Sequence, residues 1–117
     1  MGTGPTNYQL QLLIAELEQK ASESNLWQRV VQELKKPTRQ RREVNLYKIS
    51  EHALEGETVL VPGKVLSLGE VSKKVDVAAM SFSAEAKRKI TASKGKAYTI
   101  KELFEQNPQG KKIRILG

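Results

Sequence analysis

Apolar positions in the first third of the chain recur at helical spacing. From Asn7 onward, Leu10, Leu13, Ile14, Leu17 and Ala21 form one stripe. Thr6 and Gln9 have the spacing of a capping box ahead of it. The polar stretch 21–25 interrupts the pattern. Trp27, Val30, Val31 and Leu34 then form a second stripe, with Ser24 or Asn25 as its N-cap and Pro37 as its stop. Two short amphipathic helices joined by a polar turn predict a helical hairpin. Trp27 lies within the second stripe, so it is expected in the core rather than as a base-stacking platform.

After residue 43 the texture changes. Residues 44–49 (Val-Asn-Leu-Tyr-Lys-Ile) alternate apolar and polar side chains, as a half-buried strand would. Thr58-Val59-Leu60-Val61 is a β-rich run ahead of Pro62-Gly63, which reads as a tight turn exposing Lys64. Lys64-Val65-Leu66 resumes extended and Gly69 ends it. Val75 to Met80 predicts another strand. Ser83 caps a helix from Ala84 to Thr91, with Ala86 and Ile90 inward. Ala97-Tyr98 is a short strand, and Thr99 with Glu102 forms a capping box opening a helix from Ile100 to Gln106. Ile113 to Leu116 closes the chain as a strand. The theme of short strand, polar cap and short helix repeats without clear sequence identity. The fold class is therefore α/β: a helical hairpin with a basic arm over residues 1–43, then a compact α/β module over 44–117, together one structural domain.

Charge adds a direction. The 117 residues carry 20 Lys and Arg against 13 Asp and Glu, a formal net charge of +7. Residues before Lys35 sum to −2, and the remainder to +9. Residues 35–42 hold five cations (Lys35, Lys36, Arg39, Arg41, Arg42) and no anion. With a proline and no apolar periodicity, that run would repel itself unless a polyanion faced it. Arginine dominates its second half, and its guanidinium forks onto phosphate and stacks on bases.

Catalytic and metal chemistry is missing. The chain has no Cys and one His, His52, which reads as a surface or cap residue. Val61-Pro62-Gly63-Lys64-Val65 fails as a P-loop: Thr58 stands where a Gly is needed and Val65 where a Ser or Thr is. Ser81-Phe82-Ser83 lacks the glycines of a nucleophile elbow. No apolar run reaches membrane-spanning length and no secretory signal opens the chain, so a cytoplasmic protein is expected. No cofactor and no small-molecule substrate are expected.

Three stretches carry a family resemblance: Lys36-Pro37-x-Arg39-x-Arg41-Arg42-x-Val44-Asn45-Leu46-x-Lys48-Ile49, then Val59-x-Val61-Pro62-Gly63-Lys64-Val65-Leu66, then Ser81-Phe82-Ser83. With the tail from Ala97 to Leu116, they occur in an order and spacing that resembles the archaeal and eukaryotic large-subunit ribosomal protein family L-eighteen-e, related to bacterial L-fifteen. The likeness runs from Asn7 onward. It implies an irregular β-β-α superhelix, no enzymatic role, and binding to large-subunit ribosomal RNA beside neighbouring ribosomal proteins, away from any membrane. It also implies paired glycines before Lys96, where this chain has Lys94-Gly95. The eukaryotic terminal extensions are absent, which points to an archaeal source.

The expected RNA-binding residues are Lys35, Lys36, Arg39, Arg41 and Arg42 of the arm, then Lys48, Lys64, Arg88, Lys94, Lys96, Lys111 and Lys112. Arg114 extends the last patch, and some of Lys87, Arg88 and Lys89 should touch RNA. A trans-acting, non-ribosomal RNA-binding factor of the same fold is the main alternative. A helix-turn-helix DNA-binding regulator is disfavoured, because Arg29 is the only cation on the second helix before Lys35.

Overall fold

The computed structural model describes residues 5–20, 24–36, 43–54 and 56–116, with side chains in the first helix from Leu10 to Gln19. Within these, α1 (Pro5–Lys20) and α2 (Asn25–Leu34) precede β1 (Glu43–Asn45), α3 (Leu46–His52), β2 (Thr58–Leu66), β3 (Asp76–Phe82), α4 (Ala84–Ala92), β4 (Ala97–Thr99), α5 (Ile100–Gln106) and β5 (Ile113–Ile115). The basic arm from Pro37 to Arg42 lies outside the described residues, as does Ala21.

All strand pairings are parallel, in the order β1-β2-β3-β4. β5 pairs with Thr58–Leu60 and β1 with Lys64–Leu66, so these two short strands share one flank of β2 while β3 takes the other. Helices cover both faces. Val59, Val61, Val77 and Ala79 pack with Leu46, Ile49, Ala86 and Ile90 on one side. Leu60 and Ala78 pack with Leu17, Trp27, Val30, Leu34, Ile100, Leu103 and Phe104 on the other. A sheet buried on both faces needs continuous apolar strands, which is why Val59-Leu60-Val61 and Val77-Ala78-Ala79 do not alternate.

Local chemistry sets the helix starts. Ser24 caps α2, accepting from the Trp27 N–H at 3.3 Å. Ser83 caps α4, accepting from the Ala86 N–H at 3.1 Å. Thr99 and Glu102 form the reciprocal capping box of α5. In each of β1–α3, β3–α4 and β4–α5 the strand passes into its helix through a single polar cap residue.

Three sequence expectations are corrected. Helix α1 starts at Pro5, so Thr6 lies in its first turn and not at its cap; proline's fixed φ suits the first helical position. Of the alternating stretch only Val44 and Asn45 are strand, within Glu43–Asn45. Leu46 to Ile49 is helical, its two buried residues three apart, and so brief a segment satisfies both periods. Pro62-Gly63 is not a turn. β2 runs through it, and the register slips between Val61 and Lys64, leaving one extra residue opposite β3. A proline is tolerated there because a bulge needs no ladder N–H at that point. Lys64 is therefore borne by a strand rather than a turn.

The connection from β2 to β3 carries no helix and is held instead by side chains donating to its carbonyls. Lys89 Nζ binds the carbonyls of Ser67 (3.1 Å) and Gly69 (2.9 Å) and a Glu70 carboxylate oxygen (3.2 Å), and Ser93 Oγ binds Val71 O at 2.6 Å. Gly69 itself adopts φ +104°, and an added Cβ would meet the Tyr47 backbone at 2.6 Å.

Helix α4 ends in a Schellman motif. The Lys94 N–H donates to Thr91 O and the Gly95 N–H to Ile90 O, with Lys94 in the left-handed region at φ +67°. Gly95 then passes under the sheet so closely that a Cβ would lie 2.1 Å from Val75 O. Gly95→Ala should therefore destabilise the protein by on the order of 3 kcal/mol in chemical denaturation. A substitution without loss would mean that the loop moves freely away from Val75.

Candidate nucleic-acid interface

Lysine and arginine outnumber the acidic residues 20 to 13, and the structure divides the described ones into two groups. The first is engaged within the protein. Lys89 clamps the β2–β3 connection and keeps only 21% of its side chain exposed. Lys73 Nζ donates to Ala53 O at 2.7 Å, closing the end of α3. Arg114 pairs with Glu57 at 2.8 Å, which holds that carboxyl below its usual range. Arg88 pairs with Glu85 one turn earlier on α4, and the bond lowers the Glu85 pKa while raising that of Arg88. Lys35 reaches Glu18 across the hairpin, Lys36 pairs with Glu33, and Lys101 faces Glu16.

The second group carries no ion pair among the described residues: Arg29, Lys48, Lys64, Lys74, Lys87, Lys94, Lys96, Lys111 and Lys112, all exposed. Parallel pairing brings some of these together. Thr58 lies opposite both Asp76 and Ile113, and Val77 opposite Ala97, so the starts of β2, β3, β4 and β5 share one end of the sheet. Lys74 precedes β3 and the turn Lys94-Gly95-Lys96 precedes β4. Lys111 and Lys112 precede β5, and the Lys112 carbonyl accepts from the Thr58 N–H at 2.9 Å. Two carboxylates share this edge. Glu57 is held by Arg114, and Asp76 Oδ1 accepts from the Lys96 N–H at 3.0 Å. Between them lies a groove of about 400 Å³ lined by Gly56, Glu57, Thr58, Lys73, Lys74 and Asp76.

Of the residues expected from sequence to bind RNA, Lys94, Lys96, Lys111 and Lys112 meet at this edge. Lys48, on the exposed side of α3, and Lys64, in register with Glu43 and Ser81, belong to the half of the sheet beyond the bulge and do not join them. Arg39, Arg41 and Arg42 lie outside the described residues. The expectation missed Lys74. Its signal was there, a Lys doublet in the polar segment between Gly69 and Val75. Among Lys87, Arg88 and Lys89, the structure leaves Lys87 free, ties Arg88 along its helix and turns Lys89 inward.

Lys89→Met keeps the apolar stem and removes three hydrogen bonds. It should lower unfolding stability by about 1–3 kcal/mol while leaving RNA affinity near that of the parent. A pure loss of affinity with unchanged melting would place Lys89 at the interface instead.

Among the described residues no group of His, Asp and Glu could hold a metal ion, and no helix is long and apolar enough to cross a membrane. Fold and surface together define a class: a small basic α/β protein in which five of the nine cations without an ion pair among the described residues stand at one end of a parallel sheet. The particular family follows from comparison with known proteins. The model of the family described as "Ribosomal protein 60S L18 and 50S L18e" matches residues 5–117, and the chain belongs to this family. It is 47% identical to "Large ribosomal subunit protein eL18" of Methanopyrus kandleri, covering 97% of this chain and 95% of that one. The proteins of the same name from Methanococcus maripaludis (43% identical, covering 95% and 94%) and Pyrobaculum aerophilum (41%, covering 97% and 95%) are similar over nearly their whole length.

Proposed function

We propose that this protein is a structural constituent of the large ribosomal subunit, acting in the cytoplasmic ribosome, and that it binds and orders large-subunit ribosomal RNA. Full-length similarity to relatives named as large-subunit proteins carries this proposal. The alternative, a non-ribosomal RNA-binding factor, finds no support in those names. The role is structural rather than enzymatic, as it is for the family. Affinity comes from ammonium and guanidinium groups neutralising phosphates and releasing condensed counterions. Folded RNA is recognised chiefly by backbone and shape, which dispersed lysines on a rigid sheet can match. The basic run 35–42 supplies the densest charge, and Lys48, Lys64, Arg88, Lys94, Lys96, Lys111 and Lys112 supply single contacts.

Co-sedimentation of the native protein with large subunits, followed by chemical footprinting on their RNA, tests the proposal. Stoichiometric sedimentation with a discrete footprint is expected. Recovery only in the ribosome-free fraction would overturn it.

A further inference from the structure

Gly56, Gly69 and Gly110 take positive φ, as glycines do without penalty. Among the described residues only two others do so, and both are lysines: Lys94 at φ +67° and Lys112 at φ +57°. Lysine is an unusual choice there. Its Cβ crowds the following carbonyl in the left-handed region, and where a side chain is found at such positions it is enriched in Asn, Asp and His. Lys94 occupies the helix-terminating site that glycine normally fills. Neither side chain makes an ion pair or hydrogen bond among the described residues, so the strained backbone is held by main-chain hydrogen bonds alone, Lys94 N–H to Thr91 O and Thr58 N–H to Lys112 O.

The two positions are distant in sequence but equivalent in the fold. Lys94 stands three residues before β4 and Lys112 immediately before β5, at the same end of the sheet. Lys74, Lys96 and Lys111 stand beside them. Of the two carboxylates at this end, Glu57 is paired with Arg114, while Asp76 accepts from the Lys96 N–H and keeps its negative charge. Five exposed lysines without an ion pair among the described residues therefore outweigh one unpaired carboxylate at this end.

We infer that the N-terminal ends of β2 to β5 form a binding edge for RNA backbone phosphates, in which Lys94 and Lys112 are retained for their charge at the expense of folding stability. This rests on the proposed RNA-binding function and deepens it, assigning the contact to one edge and to two particular residues. Ammonium groups on short turns suit single phosphates, because the rigid strand start that follows limits their motion.

The test compares Lys94→Gly, Lys112→Gly, the double variant and Lys94→Ala with the parent, using in vitro transcribed archaeal large-subunit ribosomal RNA as probe. Melting and the salt dependence of affinity are both measured. Lys101→Ala, which removes one cation from α5 away from this edge, controls for net charge. Each glycine variant should melt about 2–5 °C higher, because the left-handed strain is relieved. Each should also bind more weakly, with the slope of log K against log salt shallower by about 1 per lysine removed. Lys94→Ala loses the charge but keeps the strain, so it should bind as weakly as Lys94→Gly and gain no melting temperature. Glycine variants that bind like the parent, or no more weakly than Lys101→Ala, would overturn the inference while leaving the broader function standing. Weaker binding accompanied by lower melting would also overturn it, since the lysines would then be structural. A parent protein without salt-dependent binding to this RNA would overturn both.

Discussion

Trp27→Ala is expected to destabilise the protein by about 3–5 kcal/mol and to leave RNA affinity at a permissive temperature almost unchanged. The indole is fully buried. Its ring meets Phe104 edge to face at a centroid distance of 5.1 Å and an interplanar angle of 81°. Its Nε1–H donates to Asn107 O at 2.9 Å. One side chain thus joins α2 to α5 and to the turn that follows. Truncation leaves a cavity beneath the sheet and removes one of the two hydrogen bonds to Asn107 O, the Gly110 N–H keeping the other at 3.1 Å, and the loss is a large share of the roughly 5–15 kcal/mol a domain commands. Thermal or urea unfolding, paired with an RNA-binding isotherm, separates the outcomes. Parent-like melting combined with lost binding would make Trp27 a stacking platform and reverse its assignment to the core.

Salt should change RNA binding more than any single substitution does. If roughly six to ten phosphates are engaged, log K falls against log salt with a slope of about −5 to −9. Affinity then drops by about 10³–10⁵ between 50 and 200 mM salt. Replacing Arg39, Arg41 and Arg42 together by Gln should make that slope shallower by about 3 if each holds one phosphate, with melting little altered. Shortening the chain to remove the arm would not serve, because Leu17, Trp27, Val30 and Leu34 upstream of it pack against Leu60, Ala78 and Phe104. An unchanged slope in the triple variant would show that the arm is a bystander. A marked fall in melting would show that it is part of the folded core.

Much of the fold was legible because local rules set it. The stripe Trp27, Val30, Val31, Leu34 has one helical solution, and Ser24, Ser83 and Thr99 cap the helices that their spacing announced. Where the reading failed, two local rules competed. Leu46 and Ile49 fit a helix as well as Val44 and Leu46 fit a strand, and packing of α3 against Val59 and Val61 decided between them. Pro62-Gly63 is the commonest punctuation of a turn, but here two flanking ladders hold β2 extended through it as a bulge. The candidate interface was legible only as a list of cations. Lys87, Arg88 and Lys89 are neighbours in sequence, yet one is free, one is tied along its helix and one is turned inward onto three acceptors.

By itself the sequence determined what depends on near neighbours and on composition: the helical hairpin, the capped helices, the apolar strands, the +7 charge, and the lack of cysteine or a histidine pair on which to build a metal or catalytic site. The tertiary structure alone decided which cations stand together and what it takes to hold them there. Parallel connections return the starts of β2 to β5 to the same end, so Lys74, Lys94, Lys96, Lys111 and Lys112 share one edge across gaps in sequence that no local pattern spans. The positive φ at Lys94 and Lys112 is likewise imposed from outside, by a helix that must end and a strand that must begin in register, against the preference of the lysine itself.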